Sequence, residues 1–197
     1  MSAEDHDEDS AVQRMLRGDE DAFRLVYRAV QPGLLRYLTV LVGATDAEDV
    51  AAETWAQAVR DLHRFSGSAD GFRGWVTTIG RNRALDLVRS RARRPVLDVP
   101  AEELVERTAP QDTESDALAL VSTQEALRLI ATLPPDQAEA VLLRAVVGLD
   151  AKTAAAVLGK RPGAVRTAAH RGLRSLQKKM SELGSDTSGP PDADEVR

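Results

Sequence analysis

Arg166, His170, Arg174 and Lys178 recur at four-residue intervals, with Thr167 and Arg171 beside them. On a helix that spacing makes one polar stripe. A guanidinium in such a stripe can make two hydrogen bonds to a guanine edge, and a threonine can meet a thymine methyl. The stripe lies within Lys160 to Lys179, a run holding seven Lys or Arg residues and no acid. A second concentration runs from Arg73 to Arg94: Arg73, Arg81, Arg83, Arg89, Arg91, Arg93 and Arg94, against the single acid Asp86. The chain carries net −5, so its positive charge is gathered into two stripes rather than scattered. Local basic stripes, more than overall charge, mark a nucleic-acid binder. Two of them suggest a grip on one polyanion at two places.

Other chemistries find little support. With no cysteine, disulfides and thiolate metal sites are excluded. His6, His63 and His170 are the only imidazoles, and none pairs with another at metal-ligand spacing, so no metal or cofactor is expected. The acids sit in the tails, a central segment and one helix, and Asp86 stands alone among arginines. No clustered carboxylates are left for catalysis, and no catalytic residue is assigned. The start, MSAEDHDEDS, lacks the basic residues and apolar run of a secretory signal. No stretch approaches the ~20 apolar residues needed to cross a bilayer. A soluble, cytoplasmic protein without membrane insertion is expected.

The elements that must carry the stripes read as helices. Hydrophobic residues make up 43% and aromatics 4%, and the Ala, Leu, Val and Arg content favours helix over sheet. Residues 1–10 hold five acids and read as a disordered tail. From Ala11 helical patterning begins. Asp19 or Asp21 is a candidate cap for a helix burying Ala22, Leu25, Val26, Ala29 and Val30. Pro32-Gly33 is a candidate break or bend. Gly43 supplies a stop, and Thr45 or Asp46 a fresh cap for a helix with Val50, Thr54, Ala58 and Leu62 inward. Its polar face includes Glu48, Asp49 and Glu53. After the small-residue loop 66–71 comes Phe72 to Arg94, with Phe72, Trp75, Val76, Ile79, Leu85 and Val88 inward, ended by Pro95.

Residues 96–118 carry seven acids and one arginine and form a flexible acidic linker. It reaches ~80 Å when extended and roughly 25–30 Å as a coil. A second domain occupies 119–183, and 184–197 read as another disordered tail. The expected architecture is all-α: two small helical domains, 11–95 and 119–183, joined by that linker. Within the second domain, DAKTAAAVLGKRPGAVRTAAHRGLRSL has the layout of a DNA-binding helix-turn-helix. Ala154, Ala155 and Ala156 let the two helices cross closely, and Val157, Leu158, Val165, Leu173 and Leu176 lock the crossing. The first basic segment is open to two readings. Its arginines can bind phosphates while Phe72, Trp75 or the loop His63 to Gly71 meets an unpaired base. Equally, the aromatics are core and the loop an ordinary interhelix turn.

DAEDVAAETWAQAVRDLHRF followed by FRGWVTTIGRNRALDLVRSRARR closely resembles region 2 of bacterial sigma factors of the extracytoplasmic-function (ECF) group. LPPDQAEAVLLRAVVGLDAKTAAAVLGKRPGAVRTAAHRGLRSL resembles their region 4. The likeness spans about residues 11–95 and 119–180. It implies an alternative sigma factor that binds core RNA polymerase, recognises promoter DNA and is held inactive by an anti-sigma factor. It places Asp46, Glu48, Asp49 and Glu53 on the polymerase clamp. His63, Arg64, Ser66, Gly67, Arg81 and Asn82 would meet the melted −10 element, and Arg89, Arg91, Arg93 and Arg94 nearby phosphates. Arg166, Thr167 and Arg171, with His170, Arg174 and Lys178 on the same stripe, would read or clamp the −35 element. For the acidic linker, threading a basic polymerase channel and acting as a solubilising tether both stay open. Ala164 and Ala168 stand where relatives often have threonine and arginine, and Arg161 replaces a usual serine cap. The alternative reading is a stand-alone helix-turn-helix regulator that binds duplex operators by itself.

Overall fold

The structure is a computed structural model. It describes the backbone of residues 3–93 and 114–186 and the side chains within 6–93 and 123–182. Among the described residues every regular element is helical. Of the linker expected at 96–118, residues 96–113 lie outside the described residues, as do Arg94, the expected stop at Pro95 and the tail beyond 186, while 114–118 fall in a helix.

The first domain is built from α1 (Ala3–Leu16), α2 (Glu20–Val42), α3 (Ala44–Asp61) and α4 (Ala69–Arg93), with a 3-10 turn, Leu62–Arg64, between the last two. Asp19 caps α2, its carboxylate accepting from Ala22 N at 3.0 Å. That bond, with the Arg14 guanidinium beside it, holds the carboxyl below the usual range. α2 then runs unbroken through Pro32, contrary to the expected break. An interior proline is unfavourable by about 3 kcal/mol, but Val30, Leu34, Tyr37 and Leu38 are buried on either side of it and hold the helix through. Gly43 both ends α2 and begins α3, with no side-chain cap, so Asp46 is a first-turn acid rather than the cap.

Four side chains expected inward are exposed, Leu25, Ala29, Val88 and Leu173, and so is Ala156, expected at the α7–α8 crossing. In α2 the buried row is Ala22, Val26, Val30, Leu34 and Leu38, a single four-residue ridge that leaves Leu25 and Ala29 outside. In α4 Ala84 and Leu87 continue the packed face instead of Val88. Two buried threonines are satisfied by their own helices, Thr54 donating to Val50 O at 2.6 Å and Thr77 to Arg73 O at 2.7 Å.

The second domain comprises α5 (Glu114–Ala131), α6 (Pro135–Val141), a wide π turn (Leu142–Val146), α7 (Ala151–Leu158) and α8 (Pro162–Asp186). Its first helix starts five residues before the expected boundary at 119. Pro134 takes the cap position of α6, and Asp136 in its first turn pairs with Lys160 at 2.7 Å. Buried Ala154, Ala155 and Val157 meet buried Val165 and Ala169 across the α7–α8 crossing. Gly159 makes the turn at φ 63°, a left-handed conformation that glycine adopts without penalty. Gly172 explains why Leu173 faces out. A Cβ at 172 would lie 2.6 Å from Val141 Cγ2, so α8 turns its glycine to α6 for close approach.

Asp150 caps α7, accepting from Thr153 N at 2.6 Å, and this bond holds its carboxyl below the usual range. A carboxyl lowered in the folded state adds stability above its unfolded value and loses it as pH falls through the folded one. Replacing Asp150→Ala is expected to destabilise the second domain by about 1 kcal/mol in urea unfolding at neutral pH. The difference from the parent should shrink as pH drops below the ordinary aspartate range, and Asp150→Asn should keep most of the cap at every pH.

Candidate nucleic-acid interface

α8 presents its stripe to solvent. Arg166, Thr167, His170, Arg171, Arg174 and Lys178 are all exposed, while Val165, Ala169 and Gly172 on the other side are buried. The structure therefore brings together all six residues of the expected −35 reader on one face. Thr167 donates to Gly163 O at 3.0 Å, so its hydroxyl is engaged within its own helix. Lys178 makes an i,i+4 pair with Glu182 at 3.8 Å, both well exposed, so it remains available to an external anion. Between this face and the start of α6 lies a shallow concavity lined by Asp136, Gln137, Gly163, Ala164, Thr167 and Arg171. The small residues Gly163 and Ala164 leave the first turn of α8 open for close approach to a duplex.

The first basic segment is divided by the fold rather than gathered. His63 and Arg64 sit on the 3-10 turn, with His63 Nδ1 3.1 Å from Arg60 O and Arg64 3.6 Å from Asp61. Ser66 and Gly67 are exposed in the loop that follows. Beneath them the Phe65 ring packs edge-on to Phe72, centroids 5.2 Å apart, and tilted against Trp75 at 5.3 Å. Phe72 is buried core; Trp75 is half-buried at the edge of the same aromatic group. Arg81 lies about three turns beyond the start of α4 and Asn82 beside it is exposed. At the far end Arg89 pairs with Asp86 at 3.1 Å and Arg93 donates to Arg89 O at 3.1 Å.

The expected polymerase-docking acids also separate. Asp46, Asp49 and Glu53, spaced three and four apart, line a groove between α3 and α4. Glu48 is exposed on another side of α3. Two of the groove acids hold arginines of α4: Glu53 pairs with Arg83, and Asp46 takes both terminal nitrogens of Arg91, Nη2 at 2.7 Å. Asp46 and Arg91, assigned from sequence to different partners, thus neutralise each other here. The bond from Asp46 raises the Arg91 guanidinium further.

Arg81 is engaged with the second domain. Its Nε donates to Glu139 Oε1 at 2.8 Å and its Nη2 to Oε2 at 3.1 Å, while Tyr37 Oη donates to the same Oε1 at 3.2 Å. Hydrogen bonding to Glu139 raises the Arg81 guanidinium, and burial with the Glu139 charge pushes the Tyr37 hydroxyl far up. A second polar contact lies nearer the loop, where Asp70 accepts from Asp150 N at 3.0 Å and from the Thr153 hydroxyl. Tyr37, Glu139, Asp70 and Thr153 carried no sequence signal, since their partners lie 58 to 102 residues away.

One chain thus pairs an exposed basic stripe on the second helix of a helix-turn-helix with a separate aromatic-backed loop and an arginine-bearing helix. The Sigma-70 region 2 model matches residues 26–94, and the Sigma-70, region 4 model matches residues 123–176. The chain is 32% identical over 182 residues to the ECF RNA polymerase sigma factor SigD of Mycobacterium tuberculosis (strain ATCC 25618 / H37Rv), covering 89% of this chain and 85% of that one. It is 35% identical over 176 residues to ECF RNA polymerase sigma factor ShbA of Streptomyces griseus, covering 84% and 91%. Among solved structures, CnrH in complex with the cytosolic domain of CnrY shares the fold at TM-score 0.60 and 23% identity, covering 89% of this chain and 97% of that one. RpoE in complex with the anti-sigma factor NepR, from Bartonella quintana, does so at TM-score 0.59 and 23% identity, covering 81% and 96%. The protein belongs to the sigma-70 family, in its ECF RNA polymerase sigma factor group. No described helix is long and apolar enough to cross a membrane.

The contact between the domains depends on small side chains. A Cβ on Gly74 would overlap Thr153 Cγ2, and one on Gly33 would lie 3.1 Å from Val146 O. Replacing Gly74→Leu is expected to part the domains while raising the intrinsic helix preference of α4. Small-angle scattering should show a larger radius of gyration with far-UV circular dichroism unchanged. An unchanged radius would mean that this packing does not hold the domains together.

Proposed function

We propose that the α3–α4 groove docks on core RNA polymerase, that the loop His63 to Gly67 with Arg81 and Asn82 captures the opened −10 strand, and that α8 reads the −35 duplex. The observation that carries this reading is the pairing, in one chain and in order, of region 2 over 26–94 and region 4 over 123–176, with the α8 stripe fully exposed. Arg166 and Arg171 bind base edges or phosphates, and Arg89 and Arg93 hold backbone near the opening. The chain catalyses no reaction. Melting draws on binding free energy, because each unstacked base held on the loop favours the open form. Capturing the strand at Arg81 requires its bond with Glu139 to break, so engagement on polymerase separates the two domains. An anti-sigma protein, the partner named with one solved relative, is the expected inhibitor. The protein acts in the cytoplasm, where its polymerase and promoter DNA are.

Run-off transcription with core polymerase and genomic upstream fragments tests the reading. The parent protein should yield promoter-dependent transcripts. Replacing Arg166→Ala and Arg171→Ala together should lower promoter affinity by tenfold or more, since each base-reading arginine contributes about 1–3 kcal/mol. Asp49→Ala with Glu53→Ala should instead weaken capture of core polymerase. Tight duplex binding by the free chain, with no transcript on adding polymerase, would favour a stand-alone regulator.

A further inference from the structure

Residues 3–16 form helix α1, where composition alone pointed to a disordered acidic tail over the first ten. The region 2 match begins only at residue 26, so α1 lies outside it. Val12 and Met15 bury one side of α1 in the core, leaving only 2% of each exposed. That anchoring turns a neighbouring row of polar residues toward the loop between the 3-10 turn and α4. Asp9 Oδ1 accepts from Ala69 N at 2.6 Å, and Gln13 Nε2 donates to Gly67 O at 3.0 Å. One turn separates Asp9 from Gln13, so the two side chains stand on one face. Glu8 adds an ion pair to Arg73 on α4 at 3.0 Å.

These bonds fall on the backbone of the loop, not on its exposed side chains. Ser68 closes the start of α4 locally, its hydroxyl accepting from Gly71 N at 3.2 Å and its carbonyl from Phe72 N at 2.9 Å. Between Phe65, held by its ring, and Ser68, held by this cap, Gly67 has φ +153°, a backbone setting that side-chain-bearing residues rarely adopt. The fixing of that short bridge comes from α1. We propose that α1 is a positioning element for promoter melting: Asp9 and Gln13 hold the 66–69 backbone in the one conformation that presents Ser66 and Gly67 to an unpaired base. They act through the loop and do not touch DNA. This rests on the assignment of that loop to the opened strand.

The test uses holoenzyme assembled from the full chain and core polymerase. The parent holoenzyme is allowed to select a preferred strand from a randomised single-stranded oligodeoxynucleotide pool and a preferred duplex from a randomised duplex pool. In the Asp9→Ala, Gln13→Ala double variant, affinity for the selected strand should fall about tenfold, the scale of one or two lost hydrogen bonds. Affinity for the selected duplex should change by less than about twofold. Asp9→Asn should restore most of the strand affinity of Asp9→Ala, because its amide oxygen still accepts from Ala69 N. In the free chain the Ala69 amide should exchange faster in Asp9→Ala than in the parent. Equal strand affinity in parent and double variant would overturn the proposal. So would parallel loss of strand and duplex binding, or no rescue by asparagine, since each points to a general folding role. If the parent itself selects no single strand, the underlying assignment of the loop fails, which is a separate result from any comparison of variants.

Discussion

The carboxylate of Glu139, set between the Arg81 guanidinium and the Tyr37 hydroxyl, ties three helices from the two domains at one point. Arg81 is 21% exposed and Glu139 18%, while Tyr37 is fully buried. Charges this far out of water are held at a desolvation cost that a bidentate pair and a third hydrogen bond largely offset. What such a pair adds most is direction: removing one member leaves a partly buried charge without its partner, which disfavours any other register. The triad can form only because backbones come close around it. Val146 and Val147 reach Gly33 of α2, and Thr153 reaches Gly74 of α4. Small residues set the distance, and the polar triad sets the alignment.

Much of the electrostatics follows from where α4 lies. One side faces α3, and there the acids Glu53 and Asp46 take up Arg83 and Arg91. Another side faces the second domain, where Glu139 takes up Arg81. The stripe that looks uniformly basic in sequence is therefore partitioned, with only parts of it open to a polyanion. On α8 no such partition occurs. Its basic face meets no other helix, and the described acids nearest in the fold, Asp136 and Glu182, pair with Lys160 and Lys178 and leave the arginines open. The two stripes differ in kind: one is open to solvent, and the other is partly committed to internal partners.

Local rules served well where the controlling interaction is local. The glycine turn between α7 and α8 and the Asp19 cap depend on residues within a few positions, and both are present; of the alanines expected at the crossing, Ala154 and Ala155 are buried and Ala156 is exposed. The outward face of α8 was legible for the same reason, since helical periodicity assigns it once the buried row is known. Failures cluster where packing overrides pattern. Pro32 sits inside α2 because the long buried ridge on either side outweighs the lost hydrogen bond. Leu173 faces solvent because Gly172, lacking a side chain, allows the closer approach to α6. Arg81 has its partner 58 residues away, and no periodicity could have linked it to Glu139.

The acidic start of the chain shows the same limit most sharply. Like charges in a short segment repel, and composition then predicts a solvated coil. Placed in the opening turns of a helix, however, acids meet the positive end of the backbone dipole and unpaired N–H groups, which favours them by a few tenths to about 1 kcal/mol each. α1 begins at Ala3 and takes the acidic stretch into its opening turns. Further along, Glu8 and Asp9 no longer need the dipole, because Arg73 and Ala69 N provide a cation and a donor from α4. Charge that reads as repulsion in one dimension is complementary in three. The hydrophobic pair Val12 and Met15 supplies the burial that brings the acids to their partners; helical patterning was legible from Ala11, but not its extension back through the acids.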